Sequence, residues 1–208
     1  MIDLSRKLPI GIQTFEKLRK EGYLYVDKTA LVWQMVSTST PYFLSRPRRF
    51  GKSLLLSTFE AYFEGKKELF KGLAIEDLEK EWVTYPVLHL DLNARKYETP
   101  FDLVAMLNQH LEKWELLYGN EKQERSPEER FAYVIERASI LTGRNVVVLI
   151  DEYDKPLLQA MQNEALLDEY RTTLKAFYGV LKSSDRHLRF AFLTGVTKFA
   201  QVSVFSDL

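Results

Sequence analysis

The aliphatic run Val146–Ile150 (VVVLI) constrains the fold of this chain more than any other stretch. Preceded by Asn145, it is rich in β-branched residues and shows no polar alternation, so Asn145–Ile150 is expected as a strand buried on both faces. Further strands are predicted at Tyr23–Val26, Pro41–Ser45, Pro86–Leu92 and Leu188–Leu193. Helical periodicity lies between them. One helix opens at Gly51-Lys52-Ser53, carries Leu55, Leu56, Phe59, Tyr62 and Phe63 on a broad face, and ends at Gly65. A second, Phe101–Leu117, has Leu103, Leu107, Leu111 and Trp114 in phase. Two more span Glu128–Leu141, with Pro127 at its start, and Leu166–Leu181. Strands alternating with helices imply βαβ units, hence an α/β chain with a mostly parallel sheet flanked by helices. In such sheets ligands sit beyond the carboxyl ends of the strands.

Composition narrows the function. The 208 residues suit one domain, and 46% hydrophobic with 28% charged residues is a globular balance. Lys plus Arg is 29 and Asp plus Glu is 29, which argues against nucleic-acid binding through bulk positive charge. With no cysteine there is no disulfide, thiol catalysis or cysteine-ligated metal, and the chain fits a reducing cytoplasm. His89, His110 and His187 are scattered, without ligand spacing. The Val146–Ile150 run is far short of the roughly 20 residues that span a bilayer, so no membrane contact is expected. The first residues, MIDLSRKLPIGIQ, lack the apolar core of a signal peptide. Polar Tyr118–Glu129 reads as a loop between two helices.

The segment Arg46-Pro47-Arg48-Arg49-Phe50-Gly51-Lys52-Ser53 lies between a strand and an amphipathic helix. Its end matches the phosphate-loop pattern G-x-x-x-x-G-K-[ST]. That chemistry needs backbone N–H groups turned inward and a helix N-terminus behind them. It also needs a lysine reaching the β- and γ-phosphates and a hydroxyl on Mg²⁺, roles that fall to Lys52 and Ser53. Arg46 stands where the first glycine is usual, so it must avoid conformations that only glycine tolerates. Pro47 fixes one backbone angle and removes a donor. Arg46, Arg48 and Arg49 either neutralise a triphosphate, bind a phosphate backbone, or form a solvated basic turn. The plain alternative for the whole segment is a basic surface turn before a helix.

The second motif is VVVLIDEYD, residues 146–154. Asp151, at the strand end, is placed to hold Mg²⁺. Glu152, one residue on, is placed as the base that polarises an attacking water. Taken alone, Glu152 could equally be a solvent-facing acid. Asp154 either tunes the site or caps the next turn. At the tip of the last strand, Thr194 is placed to orient water or γ-phosphate, with Thr197 the weaker choice and an ordinary strand exit the alternative.

Together RPRRFGKS, VVVLIDEYDKP and FLTGVTKF resemble the AAA-ATPase-like family of bacterial P-loop proteins. GIQTFEKLRKEGYLYVDKT and YPVLHLDL resemble that family's opening segment and second core strand. In this family an arginine at the Arg46 position is usual. The resemblance implies a P-loop NTPase of the additional-strand type, whose Walker A and Walker B strands are not neighbours. It implies Lys52 and Ser53 on phosphate and Mg²⁺, Asp151 on the metal, Glu152 as catalytic base and Thr194 as sensor. Residues 1–40 are expected to pack on a core formed by residues 41–208. That core is expected to stop after its fourth strand, leaving a fifth strand, a lid and the family's frequent nuclease-like domain outside the chain. ATP is preferred over GTP, because no guanine-reading N-K-x-D occurs. Ile10–Phe15 and Tyr23–Tyr25 either contact adenine or pack in the core. The expected function is Mg²⁺-dependent ATP binding and hydrolysis. The alternatives are a nucleotide-gated interaction switch with an unknown protein partner, and a nucleic-acid-associated ATPase using the arginine cluster.

Overall fold

In the computed structural model, which describes residues 7–38, 41–121 and 125–197, every residue of the Val146–Asp151 strand is buried. Four strands are formed: β1 (Tyr42–Ser45), β2 (Val87–Asp91), β3 (Val146–Asp151) and β4 (Leu188–Gly195). They make one parallel sheet in the order β1-β4-β3-β2. β4 therefore separates the strand that leads into residues 46–51 from the strand that ends in Asp151. The register sets Ser45 opposite Gly195, Ile150 opposite Leu193 and Asp91 opposite Asp151.

Eight helices are described: α1 (Phe15–Lys20), α2 (Thr29–Val36), α3 (Lys52–Phe63), α4 (Ala74–Leu78), α5 (Pro100–Tyr118), α6 (Pro127–Thr142), α7 (Lys155–Ala160) and α8 (Glu164–Ser183). Strand alternation divides the core between the two sheet faces. Leu88, Leu90, Val148 and Ile150 join Leu107 and Leu111 of α5, Phe131 of α6 and Phe177 of α8. The Phe131 and Phe177 rings stack with centroids 4.4 Å apart. Val147, Leu149, Phe190 and Phe192 face Leu56, Phe59 and Phe63 of α3, together with Phe15, Val32 and Phe70. Burying each such side chain contributes about 1.5–3 kcal/mol, so the sheet is held from both sides.

The helices begin and end where local chemistry directs. Thr99 with Asp102, and Ser126 with Glu129, form capping boxes, each followed by proline at the first helical position. α5 and α6 are locked by one buried ion pair. Arg130 Nε and Nη2 donate to the two Glu115 carboxylate oxygens, both at 2.7 Å, and Nη1 donates to Asn108 Oδ1 at 2.7 Å. Glu115→Ala leaves that guanidinium buried and unpaired, so it should cost about 3–5 kcal/mol in chemical denaturation at neutral pH. A loss below 1 kcal/mol would contradict this account.

The expected strand at Tyr23–Val26 does not form; those residues are irregular, with Leu24 N–H donating to Lys7 O at 2.8 Å. A strand needs a neighbour for its whole length, and none of the four described strands pairs there. α1, α2, α4 and α7 were not foreseen, because 5–8 residues give too few turns for periodicity to register. α1 and α2 lie on the α3 side of the sheet. Phe15 N–H donates to Ser57 Oγ at 2.8 Å, and its ring meets Tyr25 and Phe70.

Asp27 ties α2 to α4. Its Oδ1 accepts from the Thr29 N–H and hydroxyl, and its Oδ2 from Ala74 N–H at 2.7 Å. Burial pushes this carboxyl up, but these hydrogen bonds outweigh it and hold the group below its ordinary 3.8. A depressed folded value means the contribution is complete above the unfolded value and is lost as pH falls through the folded one. Asp27→Ala should therefore cost about 1 kcal/mol at pH 7, as lost caps do. The deficit should shrink when denaturation is repeated in acid below the ordinary carboxylate range, and a pH-independent deficit would refute it.

Candidate functional site

The carboxyl end of β1 runs directly into the basic segment. Arg46 N–H donates to Gly195 O at 3.1 Å, extending the β1–β4 pairing by one residue. The chain then turns through Arg49 at φ 67° and Gly51 at φ 75°, both left-handed, before α3 begins. Arg46 itself has an ordinary negative φ, so the glycine missing from the usual pattern is not required at this position. Gly51 is the N-cap of α3 and supplies no side-chain acceptor. The first N–H groups of a 12-residue helix thus have no side-chain cap. Arg46, Arg48, Arg49 and Phe50 are exposed around this end.

Lys52 is only 4% exposed. Its Nζ donates to Arg46 O at 3.2 Å and Pro47 O at 3.4 Å, and pairs with Glu152 Oε1 at 3.2 Å. A buried ammonium needs such oxygens, since burial without them is costly. The half-buried Ser53 hydroxyl makes no hydrogen bond among the described residues.

The acidic strand end is built across β3 and β4. The Thr194 hydroxyl donates to Asp151 Oδ1 at 2.5 Å, and Glu152 N–H donates to the same oxygen at 3.0 Å. Glu152 sits at φ 54°, a left-handed conformation uncommon for a residue with a side chain. It turns the chain sharply just past the sheet, and Tyr153 N–H returns to Thr194 O at 2.8 Å. Thr194 is fully buried and Asp151 is 6% exposed, so their contact is shielded from water.

The structure thus brings Lys52, Asp151, Glu152 and Thr194 together. Thr197 is directed elsewhere, its hydroxyl donating to Asp154 Oδ2 at 2.9 Å. Phe15 and Tyr25 lie against each other in the core, while Ile10 is exposed. Two neighbours of the site were not singled out from sequence. Asp91 ends β2 beside Asp151, and its Oδ1 accepts from Asn93 N–H at 2.7 Å. Lys155, at the start of α7, donates to Asn93 O and Oδ1. Burial lowers the Lys155 amine, with Arg48 adding to that and the Asp91 and Glu152 charges opposing it. The signal for Asp91 was present in PVLHLDL, a strand with an acid one residue from its end, but its pairing partner was not. Behind it His89 Nδ1 lies 3.2 Å from Glu60 Oε2. Burial pulls this imidazole down, yet Glu60 and the charges of Asp151 and Asp91 leave it above its ordinary value.

Among the described residues, no group of three or more His, Cys, Asp or Glu side chains could hold a metal ion. No helix among them is long and apolar enough to cross a membrane. No solved structure matches this chain. A protein of Azotobacter chroococcum mcd 1, described as "Uncharacterized protein in vnfD 5'region", is 43% identical over 204 residues. These are 98% of this chain and 40% of that protein, so the chain spans about two-fifths of the relative's length. The AAA-ATPase-like family, described as "Predicted AAA-ATPase", matches residues 9–205, a span that takes in every strand and helix described above. On that match, the chain belongs to the AAA-ATPase-like family.

Proposed function

We propose that this domain binds Mg²⁺–ATP at residues 46–53 and hydrolyses it, with residues 46–53 acting as Walker A and the end of β3 as Walker B. The observation that carries this reading is Lys52 itself. It is a buried ammonium at the N-terminus of α3, held by loop carbonyls and by the acid that follows Asp151. A structural lysine would gain nothing from that helix end, whose positive pole repels it. An incoming polyphosphate relieves the conflict, because its oxygens satisfy both the ammonium and the free N–H groups of α3.

The residues present fit Mg²⁺. Ser53 Oγ has no partner among the described residues, and Asp151 makes its hydrogen bonds through Oδ1, leaving Oδ2 open. Two hard oxygens suit a cation that keeps several waters and takes its other ligands from phosphate. When bound, Mg²⁺ neutralises charge that develops on the phosphate oxygens. Lys52 would exchange Glu152, Arg46 O and Pro47 O for β- and γ-phosphate oxygens. Glu152, so released, would accept a proton from water as the water oxygen bonds to the γ-phosphorus. The bond from that phosphorus to the β–γ bridging oxygen breaks, giving ADP and inorganic phosphate, and the proton passes on to solvent. Thr194 would hold Asp151 in place and keep Glu152 at the turn.

Calorimetric titration of Mg²⁺–ATP into the chain, paired with a phosphate-release assay, tests this. Saturable binding with slow turnover is expected, and GTP should compete less well. Absence of binding at millimolar nucleotide would sink the proposal.

A further inference from the structure

We infer that Asp154 is a positioning residue of this site, which clamps the turn carrying Glu152 to the exit of β4 and so sets the spacing between Glu152 and Thr194. The inference rests on the hydrolytic reading given above. Glu152 and Thr194 come from different strands, and the β3–β4 register ends at Ile150 opposite Leu193. The sheet ladder therefore does not fix how far residues 151–152 lie from residues 194–195. The Thr194 hydroxyl reaches Asp151 Oδ1 and accepts from Glu152 N–H at 3.4 Å, but these contacts hold only if the segment leaving β4 is itself held, since a displacement of about 1 Å in a reacting group can cost about 100-fold in rate.

Asp154 meets that need. It is fully buried. Its Oδ2 accepts three hydrogen bonds from the chain leaving β4: Val196 N–H at 2.9 Å, Thr197 N–H at 2.7 Å and the Thr197 hydroxyl at 2.9 Å. The adjoining Tyr153 closes the same ring, its hydroxyl donating to Thr197 O at 2.7 Å and its N–H to Thr194 O at 2.8 Å. Gly195 is pressed into this ring. A Cβ there would lie 2.4 Å from Tyr153 Cε1 and 2.7 Å from Asp154 Oδ1, so only glycine permits the approach. Residues 152–154 and 194–197 thus form one interlocked unit.

The carboxyl group is held through that one oxygen, Oδ2. Asp154 Oδ1 is buried with no hydrogen-bond partner among the described residues. Native proteins rarely leave such an atom unsatisfied. The second oxygen earns its place only through the group it completes, whose other oxygen gathers three donors from one short segment.

The test measures Kd for Mg²⁺–ATP and kcat for phosphate release in the wild-type chain, Asp154→Ala, Asp154→Asn and Thr197→Val. Asp154→Ala should keep Kd within about threefold while kcat falls about 100-fold, the cost of a misplaced group. Asp154→Asn retains one oxygen able to take the same three donors, and should recover most of that loss. Thr197→Val removes one donor only and should lower kcat several-fold at unchanged Kd; it decides the matter if Asp154→Ala does not fold. Unchanged kcat in the variants that fold would overturn the inference. So would a parallel loss of binding and turnover, which is the mark of a merely structural residue. A wild-type chain that does not bind Mg²⁺–ATP, or binds it without turnover, would instead refute the hydrolytic reading itself and the inference with it.

Discussion

Lys52→Ala should lose Mg²⁺–ATP binding, with Kd weakened about 100-fold or more. A hydrogen bond to a charged group is worth about 1.5–3 kcal/mol, and the ammonium would serve two phosphates. The fold should survive, because Lys52 belongs to neither hydrophobic cluster, and its partners sit on exposed Arg46 and Pro47 and on half-buried Glu152, which water can reach once the amine is gone. Glu152, no longer neutralised, would add repulsion toward the incoming phosphates. The measurement is a calorimetric titration of wild type and variant side by side, with thermal unfolding as the check on folding. A variant Kd within threefold of wild type would show that phosphate is held elsewhere. A variant that melts far below wild type would show Lys52 to be a structural tie between the loop and β3.

Glu152→Gln should separate binding from turnover. Loss of a general base costs about 10²–10⁴-fold in rate, so phosphate release should fall by that factor. Binding should be kept or improved, because Lys52 exchanges a carboxylate competitor for a neutral amide while Arg46 O and Pro47 O remain. Using ADP as well as ATP in the titration removes the effect of slowed hydrolysis on apparent affinity. Turnover within tenfold of wild type would exclude Glu152 as the base. It would favour a domain that uses nucleotide as a switch, in which the Lys52–Glu152 pair marks the nucleotide-free state.

Most of the scaffold was legible in the sequence because strands and long helices are written in local hydrophobic periodicity. Val146–Ile150 could only be a central strand. Leu103, Leu107, Leu111 and Trp114 could only face inward, and all four are buried. Pro127 announced a helix start, because its missing N–H costs little in the first turn. The basic segment before α3 and the acid pair at the end of β3 were legible for the same reason: each is contiguous along the chain. Tyr23–Val26 misled because an apolar, β-prone stretch becomes a strand only where a neighbouring edge exists. That edge is a property of the assembled sheet.

What the residues settled by themselves is the identity and sequence order of the parts: strand, basic loop, helix, then strand and acid pair. Tertiary structure decided their neighbours. The position of β4 between β1 and β3, the meeting of Lys52 with Glu152, the alignment of Asp91 with Asp151 and the clamp made by Asp154 all join residues far apart in the chain. Periodicity carries no information about such pairs. They are selected when the chain collapses, because each buried polar group must find its partner across the packed elements. Lys52 and Glu152 found one another in that way, and Asp154 found the backbone beyond β4.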